Sequence, residues 1–245
     1  MITQADVILA RILVKTERAK KHLFDVEALA RDSRKGIGGL PYTKGQRRGQ
    51  SVPLRIVSID VITGAGDVIH NLRSALDHLA WELAKWKTGE PRKPRNCCFP
   101  IGRDFENYKS VRAGGAVAGM SPEATKAIDD LCPYKDGAAI SSEPLWRIHH
   151  LDIVDKHRHL LIAGFQIRFT DTGLPGIWGT VQDEPTHFLG LFEDDFHGEE
   201  KRSPQPTAVE LEVFHMKPLI PSLHELLVFT ENLIENFKPF LGLRK

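Results

Sequence analysis

Two stretches of the chain hold most of the side chains able to do chemistry, HNLRSALDH at 70–78 and HHLDIVDKHRH at 149–159. Read as helices at about 100° per residue, the first places His70, Arg73, Ser74 and Asp77 on one connected face, with Trp81 beside them. Arg73 and Asp77 stand i, i+4 and can bond to each other. His78 points about 140° away from Arg73 on a straight helix, so a site using both needs a kink or a second subunit. In the second stretch His149, Asp152 and Lys156 share a face, while His150, Val154 and His157 share another. Asp155 adds a further carboxylate.

Three kinds of chemistry fit these side chains. A histidine can take the proton of a ribose 2′-hydroxyl while an arginine neutralises the phosphate, which is metal-independent RNA cleavage. Imidazoles and carboxylates from both stretches (His70, Asp77, His149, Asp152, His157) suit zinc, iron or manganese. No H-E-x-x-H spacing is present, however, and neither a metal nor a cofactor is expected. The third possibility is structural: charges on a central helix need partners, and a His/Arg/Asp/Lys network satisfies them. Nucleophilic catalysis has little support, because Cys97 and Cys98 have no base near them in sequence and no G-x-S-x-G elbow occurs.

These residues must be held by the elements around them. Val68, Leu72, Leu76, Leu79 and Leu83 form a leucine-rich stripe opposite the polar face, on a helix expected from about Asp67 to Thr88. The helix of the second stretch has apolar residues around its whole circumference, the pattern of an interior helix, and its polar groups are expected to meet those of the first. A long amphipathic helix is expected at about 3–32, capped by Thr3 with Asp6 in its first turn. VPLRIVSIDVI (52–62) reads as a strand ended by TGAG. Short helices are expected near Asp104–Val111 and after Ser121-Pro122. Ser142 and Pro144 open the second polar helix in the same way. LLIAGFQIRFT, GIWGTVQ, HFLGLF and TAVELEVFH read as antiparallel strands, and IPSLHELLVFTENLIENFKPFL as a final amphipathic helix. The expected class is α+β: a helical bundle with an antiparallel β-meander packed beside it, in one domain of 245 residues. A flexible basic loop is expected at about 33–51.

Composition narrows the partners. With 33 Lys+Arg against 32 Asp+Glu the net charge is +1, so no global field draws the chain to nucleic acid or membrane. Local basic runs occur at 31–48, which includes Arg47 and Arg48, and at 85–95. Each could neutralise a few phosphates of a bound nucleic acid. Three cysteines without regular spacing point to a reducing compartment. No secretory signal is read at the N-terminus and no apolar run is long enough to span a bilayer, so a soluble, cytoplasmic protein is expected.

At HNLRSALDHLAWEL, FPI (99–101) and LWRIHHLDIVDKHRHLL the chain resembles a set of uncharacterised bacterial and phage-borne proteins. These share GD-x-x-HNLRSALDHL, then FPI, then L-D-x-x-DKHR, over roughly residues 64–162. Arg73 to His78 also fits R-x-x-x-x-H, the signature of the HEPN superfamily. Those are helical-bundle proteins, many of them ribonucleases of toxin–antitoxin, abortive-infection and other defence systems, and they usually work as dimers. The resemblance implies Arg73 as the phosphate-binding residue, His78 as the proton-transfer residue and Asp77 as the group that orients them. His70 completes that face, with His149, Asp152, Asp155, Lys156 and His157 in support. It further implies RNA as substrate, with Arg47 and Arg48 helping to hold it, a homodimer, and an antitoxin-type protein partner. Set against this endoribonuclease are a non-catalytic interaction or ligand-binding domain with a structural network, and a metal-dependent hydrolase.

Overall fold

A computed structural model describes residues 2–35, 55–56, 58–85, 89–157, 162–166, 186–190 and 217–242. Six helices build the described core: α1 (Gln4–Lys35), α2 (Ile59–Ala84), α3 (Phe105–Val111), α4 (Pro122–Asp130), α5 (Ser142–His157) and α6 (Leu219–Asn236). Four short strands, β1 (Arg55–Ile56), β2 (Ile162–Gln166), β3 (Thr186–Gly190) and β4 (Lys217–Pro218), pair antiparallel in that order.

The central element is α2, which packs on α1, α5 and α6. Its stripe is as the apolar spacing requires: Val68, Leu72, Leu76 and Leu79 are 0% exposed. From α6, Leu223, Leu226, Leu227, Leu233, Ile234 and Phe237 are buried in the same core. On α1 the inward residues are Leu9, Ile12, Leu23 and Val26, whereas Val7 and Leu29 lie on the exposed side. The expected α+β class with a packed β-meander is corrected to a helical one, because helices make up most of the described residues and the strands are only two to five residues long. The proposed strands GIWGTVQ and TAVELEVFH lie outside the described residues; of the basic loop expected at about 33–51, residues 33–35 belong to α1 and the rest lie outside the described residues.

A second correction concerns 52–66. Among the described residues of the expected strand only Arg55 and Ile56 are extended, and from Ile59 the chain is already α2. Val61 and Ile62 are buried in a helix despite their β-branched side chains, since core packing outweighs a propensity difference of about half a kcal/mol per residue. The TGAG that reads as a breaker lies inside this helix. Its glycines are there for closeness: a Cβ at Gly64 would stand 2.6 Å from Val26 of α1, and one at Gly66 2.7 Å from the Asp155 carboxylate of α5.

The caps follow the sequence more closely. Asp6 N–H donates to Thr3 Oγ1 (3.2 Å) and Thr3 N–H to Asp6 Oδ2 (2.7 Å), closing a reciprocal box at the start of α1. Asp104 accepts from Asn107 N–H and Ser121 from Ala124 N–H at the starts of α3 and α4. Ser142 instead turns its hydroxyl back onto the Gly137 and Ala139 carbonyls, tying α5 to the turn before it. Among the described residues no helix is long and apolar enough to cross a membrane.

Candidate functional site

The polar face of α2 lies along α5, and the two helices run antiparallel. Going up α2 by one helical turn at a time, Gly66 meets Asp155, His70 meets Asp152, and Arg73 comes beside His149. Gly66 sets the distance, because any larger residue would push the Asp155 carboxylate away. Next along the seam, Asp152 is 6% exposed and accepts on both oxygens. Oδ1 lies 3.1 Å from His70 Nδ1, and Oδ2 takes Lys156 Nζ at 2.8 Å.

Arg73 is the most constrained charge in the seam, at 6% exposed. Its Nη2 donates to Asp77 Oδ1 (2.8 Å) and to the Phe99 carbonyl (2.9 Å), and Phe99 N–H donates to the same Asp77 oxygen (2.9 Å). One guanidinium nitrogen, one carboxylate oxygen and one backbone unit thus close a ring that pins the FPI segment to α2. The buried charge is compensated by this ring, as a charge removed from water must be. Nη1 of the same guanidinium is buried with no hydrogen-bond partner. Burial pushes the neighbouring Cys98 thiol above its ordinary pKa, and the Arg73 guanidinium opposes this.

His149 feels the same guanidinium. Burial first and Arg73 second depress its pKa to about 4, so the ring is neutral at neutral pH. It packs in turn on Trp146, whose indole stacks on His150.

His78 is elsewhere. It is exposed and, with Ser74, Asp77, Trp81 and Cys97, lines an open recess of about 240 Å³ on the outer side of α2. Asp77 belongs to both places, with its Oδ1 in the buried ring and 38% of its side chain exposed. Trp81 is half-buried. The Cys97 thiol is pushed up to about 11 by burial, then by the Cys98 thiol and the Asp77 carboxylate, so it is a protonated and sluggish nucleophile.

The structure thus joins His70 to Asp152 and Lys156, and Arg73 to Asp77, and sets His149 beside Arg73. It does not join Arg73 to His78: the first is inside and committed, the second outside. His157 closes α5 with its side chain undescribed, and Arg47 and Arg48 lie outside the described residues. The ligand set considered for a metal is spent internally, since Lys156 and His70 occupy the Asp152 oxygens. Among the described residues no group of three or more His, Cys, Asp or Glu side chains is arranged to hold a metal ion. Two participants carried no sequence signal of their own. Phe99 contributes through its backbone, which no residue type reveals, and Cys97 joins the recess only because that backbone is pinned.

Fold and site together define a helical bundle with a polar seam between α2 and α5 and, adjoining it on α2, an open recess. Compared with known proteins, the chain matches no family model, no curated protein and no solved structure.

Proposed function

We propose that this chain is a non-catalytic ligand-binding domain, in which the recess is the binding surface and the His/Asp/Arg network is the scaffold that shapes it. The observation that carries this reading is the burial and full commitment of Arg73 Nη2. A phosphate-binding arginine has to offer its guanidinium fork to the ligand. Turning Arg73 outward would break the ring, release Phe99 and leave Asp77 without its counter-charge. Arg73 therefore acts on the recess at one remove, by fixing Asp77 and, through Phe99, the strand of chain that supplies Cys97. The recess itself has the composition of a small-ligand site, with an aromatic wall and a few convergent polar groups.

The test compares Arg73→Ala and His78→Ala in the full chain, measuring urea unfolding and cleavage of single-stranded RNA. The expected outcome is no cleavage by the parent chain, a loss of about 3 kcal/mol for Arg73→Ala, and a change within about 0.5 kcal/mol for His78→Ala. RNA cleavage by the parent chain that a folded His78→Ala variant lacks would overturn the proposal in favour of an endoribonuclease.

A further inference from the structure

We infer that the recess takes an organic ammonium group, held against the Trp81 indole with the Asp77 carboxylate as its counter-charge. The inference rests on the recess being a binding site and names the chemistry that would fill it. Among the described residues, five side chains line the recess: Ser74, Asp77, His78, Trp81 and Cys97. No lysine or arginine is among these five, so they offer an entering anion no fixed positive charge. Arg73, which bonds Asp77 from behind, is buried and has its Nη2 held by Asp77 and the Phe99 carbonyl.

The carboxylate is placed for the opposite role. Both internal bonds to Asp77 end on Oδ1, from Arg73 and from Phe99 N–H, which leaves Oδ2 without a bond among the described residues. The Asp77 side chain is 38% exposed and lines the recess, so the carboxylate can be reached from it. The same carboxylate disfavours a negative charge on the neighbouring Cys97 thiol. A half-buried tryptophan beside a carboxylate is the pairing that attracts an organic cation, through the negative face of the indole and through charge. The recess is also small. At about 240 Å³ it falls below the roughly 300–1,000 Å³ of sites that enclose a drug-sized ligand. It suits a single headgroup, with the remainder of the molecule outside.

An ammonium group can arrive on a free small molecule or on a lysine side chain of another protein, and the test separates these. The full chain, labelled with ¹⁵N, is titrated with choline chloride and with 3,3-dimethyl-1-butanol, the uncharged carbon isostere of choline. Parallel titrations use a short neutral peptide carrying Nε-trimethyl-lysine, and inorganic phosphate. The readout is the Trp81 indole N–H resonance, assigned with Trp81→Phe. Both ammonium probes should shift it saturably and bind about tenfold more tightly than the isostere, and phosphate should leave it unmoved. Trp81→Ala, checked for fold by circular dichroism, should abolish binding, and Asp77→Asn should weaken it severalfold. Tighter binding of the peptide than of choline assigns the group to a protein partner, and equal binding assigns it to a free cation. If the isostere binds as well as choline, or phosphate binds instead, the ammonium inference falls while the recess remains a binding site. If no probe moves the resonance the inference also falls; the binding-site reading falls with it only if a chemically unbiased fragment screen leaves Trp81 unmoved too.

Discussion

At the scale of single residues, the seam between α2 and α5 is a set of charges whose states depend on one another. His149 is the seam group whose pKa the fold moves clearly, within an accessible range. In the fold its pKa lies near 4, against an ordinary value of 6.5. Folding therefore favours the neutral ring, and the unfolded chain takes up a proton first as pH falls. Stability from this group is complete above about pH 6.5 and is lost progressively between there and pH 4. For a half-buried ring flanked by Asp152 the loss should be about 1–2 kcal/mol between pH 7.5 and pH 5. Urea unfolding at the two pH values measures it, with His149→Gln as the reference that cannot be protonated. Equal pH sensitivity in the two proteins would rule out His149 as its source. Which residues would face one another here could be read in part from spacing: His70, Arg73 and Asp77 share a face by the 100° rule, and so do His149, Asp152 and Lys156. Spacing could not reveal that Arg73 Nη2 is committed inside the fold, because one of its partners is the Phe99 carbonyl.

At the scale of elements, the glycines of α2 decide how closely its neighbours approach. Helix propensity alone favours alanine over glycine in a helix interior by about 1 kcal/mol. At Gly66 the added methyl would meet both Asp155 carboxylate oxygens at 2.7 Å, far inside contact distance, and α5 would have to shift. Gly66→Ala should therefore destabilise the protein by about 1–3 kcal/mol, as overpacking does. Gly114, where nothing stands within 4 Å of an added Cβ, supplies the control, and Gly114→Ala should stay within about 0.5 kcal/mol. Chemical denaturation of the two variants decides the matter; a stabilised Gly66→Ala would show that α5 yields freely. This is also the place where sequence and structure part most clearly. IDVI (59–62) followed by TGAG has the local marks of a strand and a turn. Its helical state is dictated by α1 and α5, which lie distant in sequence, and the glycine that looks like a breaker is what admits them. The caps at Thr3 and Ser121 were legible because their hydrogen bonds are made within three residues.

At the scale of the whole molecule, the sequence pattern led to α+β because short alternating stretches after Leu160 resemble a meander, and alternation carries no information about which layer forms the core. The described core is instead helical, and it is unevenly built. α2 is covered by α1, α5 and α6, and its stripe from Val68 to Leu83 has almost no access to solvent. The arm from Gly102 to Ile140 joins the same core through a few side chains, chiefly Met120, Ala124 and Ile128. Its own ties are mostly internal: Tyr108 Oη donates to Asp129 (2.5 Å), Arg112 bonds both oxygens of that carboxylate, and Gly102 N–H donates to the Pro133 carbonyl. An arm tied to itself more than to the core can open without unfolding the rest, whereas α2 can open only when its three neighbours release it. Native-state hydrogen exchange should accordingly find the Val68–Leu83 amides exchanging only through global unfolding. The α3 and α4 amides should exchange through a smaller opening at lower free energy. The ring at Arg73 adds a link between the two, since Phe99 stands three residues before the arm begins. Weakening that ring with Asp77→Asn should lower protection in 105–130 by more than it lowers global stability. Equal losses in the arm and in α2 would mean that the molecule opens as one unit and that the ring serves α2 alone.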